Sequence, residues 1–147
     1  MGDKTGSIVM NVQVDHLTKS SMLEHTRLTR LSGRVERREV PLKRLDDVVR
    51  DHALHPPFGV KIDAEGFELK VVLGSEETLG ASAFLIVEVS VQKRFEGSCG
   101  LVDFVDEMRR RGFGVGNVLS AHPDWHGLVR FMDILFVRKG QSWLPKR

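Results

Sequence analysis

The chain has 147 residues, the size of one domain, and about half of them are apolar once the 14 glycines join the 41% hydrophobic class, as in globular proteins. The 22 basic and 20 acidic residues nearly balance, at a formal net charge of +2, and no dense Lys or Arg block occurs, so we expect no nucleic-acid partner. The single cysteine, Cys99, excludes an internal disulfide and favours a cytoplasmic location, and the most apolar stretch, residues 81–91, is too short to span a membrane.

The amino-terminal part predicts strands rather than helices. Residues 7–14 alternate in part and are rich in β-branched side chains, which is typical of a strand. Residues 15–32 are polar and predict a loop, with at most a short turn of helix. Charged residues 35–40 predict an exposed strand that ends at Pro41. We therefore interpret residues 1–40 as strands and a loop at the edge of the sheet.

From residue 41 onward, helical and strand patterns alternate. Helices are predicted at residues 45–55, 67–73 and 100–111, and strands at residues 58–63, 83–89, 113–119 and 131–137. The strand at 83–89 is nearly continuously apolar, which predicts burial on both faces. Residues 120–127 show no helical pattern and predict a loop, so the last two strands should be antiparallel. The alternation indicates an α/β sheet with crossover helices and an antiparallel last strand.

Acidic residues fall where two predicted strands end. Asp63 closes one strand, Glu65 follows it, and Glu88 lies near the end of the next. Ligands of open α/β sheets bind at the carboxyl ends of the strands, where carboxylates could bind hydroxyl groups or accept a proton. Strand alternation puts Lys61 on the face of Asp63, so Lys61 would be buried and need a carboxylate partner if its strand is central. A purely structural ion pair between Lys61 and Asp63 is the other interpretation.

The predicted loop at residues 120–127 carries weaker candidates. His122 and His126 are four residues apart, but no third strong ligand accompanies them, so we predict no metal site. Loops over the carboxyl ends of strands carry specificity, which makes His122, Trp125 and His126 candidates for substrate binding. Ordinary surface residues are the alternative interpretation.

A series of short motifs resembles the FkbM family of S-adenosylmethionine-dependent methyltransferases. In chain order the motifs are GDKTG (2–6), SSML (20–23), VPLKRLDD (40–47), VKIDAEGFE (60–68), VLGS (72–75), IVEVS (86–90), FEG (95–97), GF (112–113) and DILFV (133–137). They extend over nearly the whole chain, and KIDAEGFE followed by IVEVS is the most specific pair. The resemblance implies a class I methyltransferase (Rossmann-like) fold, with residues 41–140 as the family-like region and residues 141–147 as a tail.

The resemblance also implies a reaction and roles for residues. The family's chemistry is methyl transfer from S-adenosylmethionine to a hydroxyl of a small molecule, such as a sugar or a secondary metabolite. Asp63 would be the central acid beside the cofactor sulfonium and the acceptor, and Lys61 would orient or polarise it. Glu65 and Glu88 would bind the acceptor or shape the turn.

One element of the family pattern has no counterpart in the sequence. The acidic-x-Gly-x-x-Gly loop that holds most of the cofactor, after an apolar strand, does not occur. The sequence therefore predicts the carboxyl-terminal half of the fold, a truncated methyltransferase. A non-catalytic remnant or interaction domain of the same fold is the alternative. In either case an exposed sheet edge predicts self-association.

Overall fold

The computed structural model describes residues 1–14, 20–26, 34–138 and 140. Its elements are β1 (Gly6–Gln13), β2 (Val35–Leu42), α1 (Leu45–Asp51), β3 (Phe58–Ile62), α2 (Glu68–Leu73), α3 (Glu76–Gly80), β4 (Ser82–Ser90), α4 (Leu101–Arg110), β5 (Phe113–Pro123) and β6 (Val129–Arg138). Most of the loop predicted at residues 15–32, and the tail at residues 141–147, lie outside the described residues. Among the described helices, none combines the length and apolar character needed to cross a bilayer.

Four strands form a mixed sheet in the order β3-β4-β6-β5. β3 and β4 are parallel, and the chain between them forms α2 and α3, as a parallel crossover requires. β6 runs antiparallel to both of its neighbours. The prediction of an α/β sheet with an antiparallel last strand is confirmed, and the architecture is compatible with part of a Rossmann-like methyltransferase fold.

The hydrophobic core lies on one face of this sheet. Alternate residues of β4, Leu85 and Val87, are fully buried there against Phe104 and Met108 of α4. The apolar residues of α4 recur at helical spacing, so one stripe of the helix faces the sheet. The opposite face of β4 is less covered, since Phe84 is 36% exposed. The prediction that β4 is buried on both faces holds only for the carboxyl-terminal part of the strand, where Glu88 and Ser90 are buried on the opposite face.

The amino-terminal strands form a separate sheet. β1 and β2 pair antiparallel with each other, from Gly6 opposite Leu42 to Gln13 opposite Val35, and neither belongs to the four-stranded sheet. The expectation that residues 1–40 lie at the edge of that sheet is wrong for β1 and β2, because these strands pair with each other and not with the four-stranded sheet. β2 also continues past Pro41, which a two-stranded ribbon tolerates because each strand has an outer edge.

β5 is longer than its sequence pattern indicates. It extends to Pro123 and pairs Ser120 with Asp133 and His122 with Phe131, so the predicted loop at 120–127 is wrong over its first part. Only a short turn remains, in which Asp124 Oδ1 accepts hydrogen bonds from nearby backbone N–H groups. Three register shifts break the alternation of β5, which is why no clear strand pattern appears in the sequence.

Candidate active site

Three carboxylates meet at the carboxyl end of the parallel strand pair. Oxygen atoms of Asp63, Glu65 and Glu88 all lie within 4.8 Å of one another. The reason is topological, since the carboxyl ends of β3 and β4 share one edge of the sheet. Burial differs across the group, because Asp63 is exposed, Glu65 is half-buried and Glu88 is buried.

Lys61 is not buried, because β3 lies at an outer position of the sheet rather than at its centre. Its side chain is 48% exposed, and its Nζ donates a 2.8 Å hydrogen bond to Asp133 Oδ1 and lies 3.6 Å from Asp63 Oδ2. Burial lowers the pKa of Lys61, but the Asp133 hydrogen bond and the Asp63 charge outweigh it, so the net pKa is raised. Lys61 therefore stays positively charged and connects two carboxylates.

Asp133 connects Lys61 to the β5 side of the site. Ser120 Oγ donates a hydrogen bond to Asp133 Oδ2, and His122 Nε2 lies 3.7 Å from the same oxygen. The His122 ring stacks on Phe131, with 4.4 Å between ring centroids. The hydrogen bonds from Lys61 and Ser120 hold the pKa of Asp133 below its usual range. Asp133 was not predicted as a site residue, although a lone acid within an apolar strand was a usable signal.

Two of the predicted substrate-binding residues lie apart from the carboxylates. Trp125 and His126 contact each other, with 3.4 Å between ring centroids, in the turn between β5 and β6. The Trp125 side chain is largely in solvent, with 89% of the residue exposed. Within the described ranges no contact joins either residue to Asp63 or Glu65, so of the three only His122 reaches the acidic group, through Asp133.

Arg94 is the buried cation of the site, and it was not predicted from the sequence. Its Nη2 donates to Glu88 Oε1 and lies 3.6 Å from Glu65 Oε2. Its Nε donates to Ser90 Oγ at 3.1 Å, and its guanidinium lies 4.3 Å from the centre of the Phe131 ring. The side chain is only 7% exposed, and Arg94 forms a buried ion pair with Glu88, in which each charge compensates the other.

The turn that carries Glu65 has an unusual and well-supported backbone. Glu65 has a φ of +47°, a backbone conformation that residues with a side chain rarely adopt. Gly66 follows with a φ of +95°. Ser21 Oγ donates a 2.6 Å hydrogen bond to the Glu65 carbonyl oxygen. Glu68 Oε1 accepts hydrogen bonds from the N–H groups of Ala64 and Gly66, at 3.1 and 3.0 Å. Strained backbone of this kind persists only where its surroundings fix it, and it often marks a functional site.

Burial raises the pKa of two carboxyl groups at this turn, those of Glu65 and Glu68. It raises the pKa of Glu65 to about 7, which the Arg94 charge opposes and the neighbouring acids Glu88, Asp63 and Glu68 reinforce. Burial also raises the pKa of Glu68, although backbone hydrogen bonds pull the other way. Glu65 is thus a carboxyl group that exchanges its proton close to neutral pH.

The acidic group suits a cation, although it does not by itself define a metal site. Asp63, Glu65 and Glu88 are close enough to coordinate a divalent ion, but such clusters are common without one, and Arg94 already lies against two of them. Carboxylates outnumber cations here, which suits the positive sulfonium of S-adenosylmethionine, and carboxylate oxygens also accept hydrogen bonds from ribose hydroxyls.

Two described cavities lie away from the carboxylates. One, of about 250 Å³, lies between α1, α3 and the start of β3, and Phe58 and Thr78 help line it. The other, of about 370 Å³, lies between α4 and the last two strands, with Val105, Val118 and Met132 in its apolar lining. We place the candidate site at the carboxylates because the convergent ionisable groups are there.

A mixed sheet with acidic residues at the carboxyl ends of its parallel strand pair is an α/β architecture compatible with part of a Rossmann-like fold. The model of the Methyltransferase FkbM domain family matches residues 2–115. The match spans most of the chain, and the chain belongs to the FkbM methyltransferase family. It includes Asp63, Glu65, Glu88 and Arg94. No curated protein and no solved structure matches the chain.

Proposed function

We propose that the protein takes part in methyl transfer from S-adenosylmethionine to a hydroxyl group of a small molecule, such as a sugar or a secondary metabolite. The observation that carries the proposal is the meeting of Asp63, Glu65 and Glu88 at the strand ends of a chain in a methyltransferase family. When bound, the cofactor supplies an electrophilic methyl group. The protein's own contribution is to position the reactants and to remove a proton.

Roles within the site follow from charge and exposure. The Asp63 carboxyl group is accessible, so it would hold the cofactor beside the acceptor. Lys61 would fix the Asp63 carboxylate through its 3.6 Å contact, while Asp133 holds Lys61. Glu65 and Glu88 would shape the acceptor side. His122, Trp125 and His126 would contact the more distant part of the acceptor.

The proposal also includes the kind of partner and the cellular compartment. The nearly balanced charge favours a small-molecule partner over nucleic acid, and no apolar run in the sequence suggests a membrane partner. The single cysteine favours the cytoplasm.

Replacing Asp63 by asparagine should weaken S-adenosylmethionine binding about five- to ten-fold, since one partly exposed charge facing a cation is removed. Isothermal titration calorimetry of the 147-residue protein measures the effect. Asp51→Asn is the matched control, because Asp51 is similarly exposed, at 49%, but belongs to α1 and pairs with Lys43. Equal affinities for the wild-type protein and Asp63→Asn would contradict the role of Asp63.

The second candidate function is a non-catalytic interaction domain, and the outer edge of β3 favours it. Among the described strands β3 pairs only with β4, which leaves backbone N–H and C=O groups of residues 58–62 on its other side. The partner we propose for this edge is a second copy of the chain.

Light scattering during size exclusion, across a hundred-fold range of protein concentration, tests this self-association. Replacing Val60, in the middle of β3, by proline removes a backbone donor, and the expected result is a shift of the dimer to the monomer. A wild-type protein that remains monomeric throughout would exclude the interface. Self-association together with no calorimetric signal for S-adenosylmethionine would favour the interaction domain over the enzyme.

A further inference from the structure

We propose that Glu65 accepts the proton of the acceptor hydroxyl and that Arg94 is the positioning residue that holds the Glu65 carboxylate for this task. The inference rests on the proposed methyl transfer. It distinguishes Glu65 from the two carboxylates beside it, and it gives a role to a buried arginine that the reaction otherwise leaves unused.

The three carboxylates differ in their exposure to solvent and in the groups that contact them. Glu88 is buried, and Arg94 donates directly to it, so a substrate cannot reach it readily. Asp63 is exposed, but its Oδ2 lies 3.6 Å from the Lys61 Nζ, so an ammonium group already lies beside this carboxylate. The Glu65 side chain is 22% exposed, and its nearest cation is Arg94 at 3.6 Å, beyond hydrogen-bond distance. In the part of the chain that is described, no group donates a hydrogen bond to the Glu65 carboxylate.

The backbone of Glu65 is fixed before any ligand binds. Its left-handed conformation is held by the Ser21 hydroxyl on one side and by the Glu68 carboxylate, through Gly66, on the other. The Phe95 ring packs against Gly66, where an added Cβ would lie 2.7 Å from the ring. A proton acceptor must be held in place to be efficient, and this turn provides that rigidity.

Arg94 is itself held from several directions. Its guanidinium lies 5.2 Å from the Phe95 ring centre and 4.3 Å from the Phe131 ring centre. The short contact with Glu88 and the bond to Ser90 fix its plane, so its charge has a set position relative to Glu65. The arginine would thus set both the direction and the basicity of Glu65 without contacting the substrate.

The charges that face Glu65 come from every neighbouring element: Asp63 after β3, Glu68 in α2, Glu88 in β4 and Arg94 after β4. Their sum, with burial, leaves the pKa of Glu65 about 7. A general base is most efficient when its pKa lies near the working pH, because the base is then available and still strong enough to take the proton.

The proposed step conserves atoms and electrons. The O–H bond of the acceptor breaks and its proton passes to a Glu65 oxygen. The electron pair left on the acceptor oxygen forms the new bond to the methyl carbon as the carbon–sulfur bond breaks, and that bond's electrons remain on sulfur. The products are a methyl ether, a thioether and a protonated Glu65, which returns its proton to water.

Carbon-13 NMR of the glutamate side-chain carboxyls, recorded from pH 4 to 9, tests the state of Glu65 without requiring turnover. One carboxyl should titrate near pH 7, and its signal should be absent from Glu65→Gln. Arg94→Met should raise this pKa, because a neighbouring cation is lost, and Arg94→Lys should raise it less. Arg94→Lys also keeps the test valid if Arg94→Met does not fold. Glu96→Gln, at an exposed position paired with Lys93, should leave the titration unchanged.

Calorimetry at pH 7 in phosphate and in Tris buffers then connects Glu65 to the cofactor. Binding of the cationic S-adenosylmethionine should release up to about half a proton from a group with a pKa of about 7. The neutral S-adenosylhomocysteine should release less, and Glu65→Gln should release none.

Two results would overturn the role of Glu65: a titration below pH 5, or the same proton release from Glu65→Gln. If neither compound binds while Glu65 titrates near pH 7 and responds to Arg94, the proposed methyl transfer fails and so does the acceptance of a substrate proton by Glu65, whereas the effect of Arg94 on Glu65 is retained.

Discussion

Replacing Asp46 by alanine is expected to lower the free energy of unfolding by about 3 kcal/mol. Asp46 is 2% exposed, and its two oxygens accept hydrogen bonds from the backbone N–H groups of Glu77 and Thr78 and from the Thr78 hydroxyl. Arg44 also donates to it at 3.1 Å. This side chain of α1 therefore caps the amino end of α3, and its loss would leave buried donors unsatisfied.

Urea denaturation followed by circular dichroism measures the loss for Asp46→Ala, and Asp47→Ala is the matched control. Asp47 is the next residue of the same helix turn, but its partners Thr5 and Arg50 form hydrogen bonds exposed to solvent. The control should lose much less stability, since surface ion pairs contribute little. Similar losses in the two variants would refute the capping role of Asp46.

Gly74→Ala is the second substitution with a large expected effect, a loss of about 2–3 kcal/mol. A Cβ at Gly74 would lie 1.9 Å from the Gly2 carbonyl oxygen and 2.9 Å from its carbonyl carbon. Both are backbone atoms and cannot move aside as a side chain would. The amino-terminal segment would have to move away, and the 3.0 Å hydrogen bond from Gly2 N to the Lys43 carbonyl would be lost with it.

Gly80→Ala gives a matched control for Gly74→Ala, because a Cβ at Gly80 would meet nothing within 4 Å. At the end of α3 alanine should leave the stability unchanged or raise it by up to about 1 kcal/mol, since it restricts the unfolded chain and favours a helix. The same urea titration compares the two variants. A Gly74→Ala protein as stable as Gly80→Ala would show that the amino-terminal segment does not pack closely against this turn.

The elements with strong local periodicity could be predicted from the sequence. α4 repeats its apolar residues at helical spacing, and β4 is an apolar run broken only by Glu88 between its terminal serines, so both were predicted close to their true bounds. Asp63 and Glu88 could be placed together because the crossover between their strands implied a parallel pair. The motifs of the FkbM family added the chemistry that spacing alone did not indicate.

Strand alternation brought Lys61 to the face of Asp63, but the partners that are distant in the sequence could not be predicted. The Lys61 to Asp133 hydrogen bond joins residues 72 positions apart, and it depends on which strands become neighbours and in which register. Arg94 becomes the partner of Glu88 only when the chain after β4 folds back towards Glu88. Long-range pairing of this kind is set by tertiary packing, and a single sequence carries little local signal for it.

The bulges of β5 have a consequence for how molecules of this protein meet. This strand has no Lys, Arg, Asp or Glu, and three of its residues are exposed apolar side chains: Val115, Val118 and Leu119. An uncharged outer strand of this length normally invites pairing with a neighbouring molecule. The three register shifts space its outward N–H and C=O groups unevenly, so an incoming regular strand would find matching partners over only a few residues. In β5, irregular backbone spacing thus does what charged side chains do at other sheet edges, and it hinders strand-to-strand aggregation.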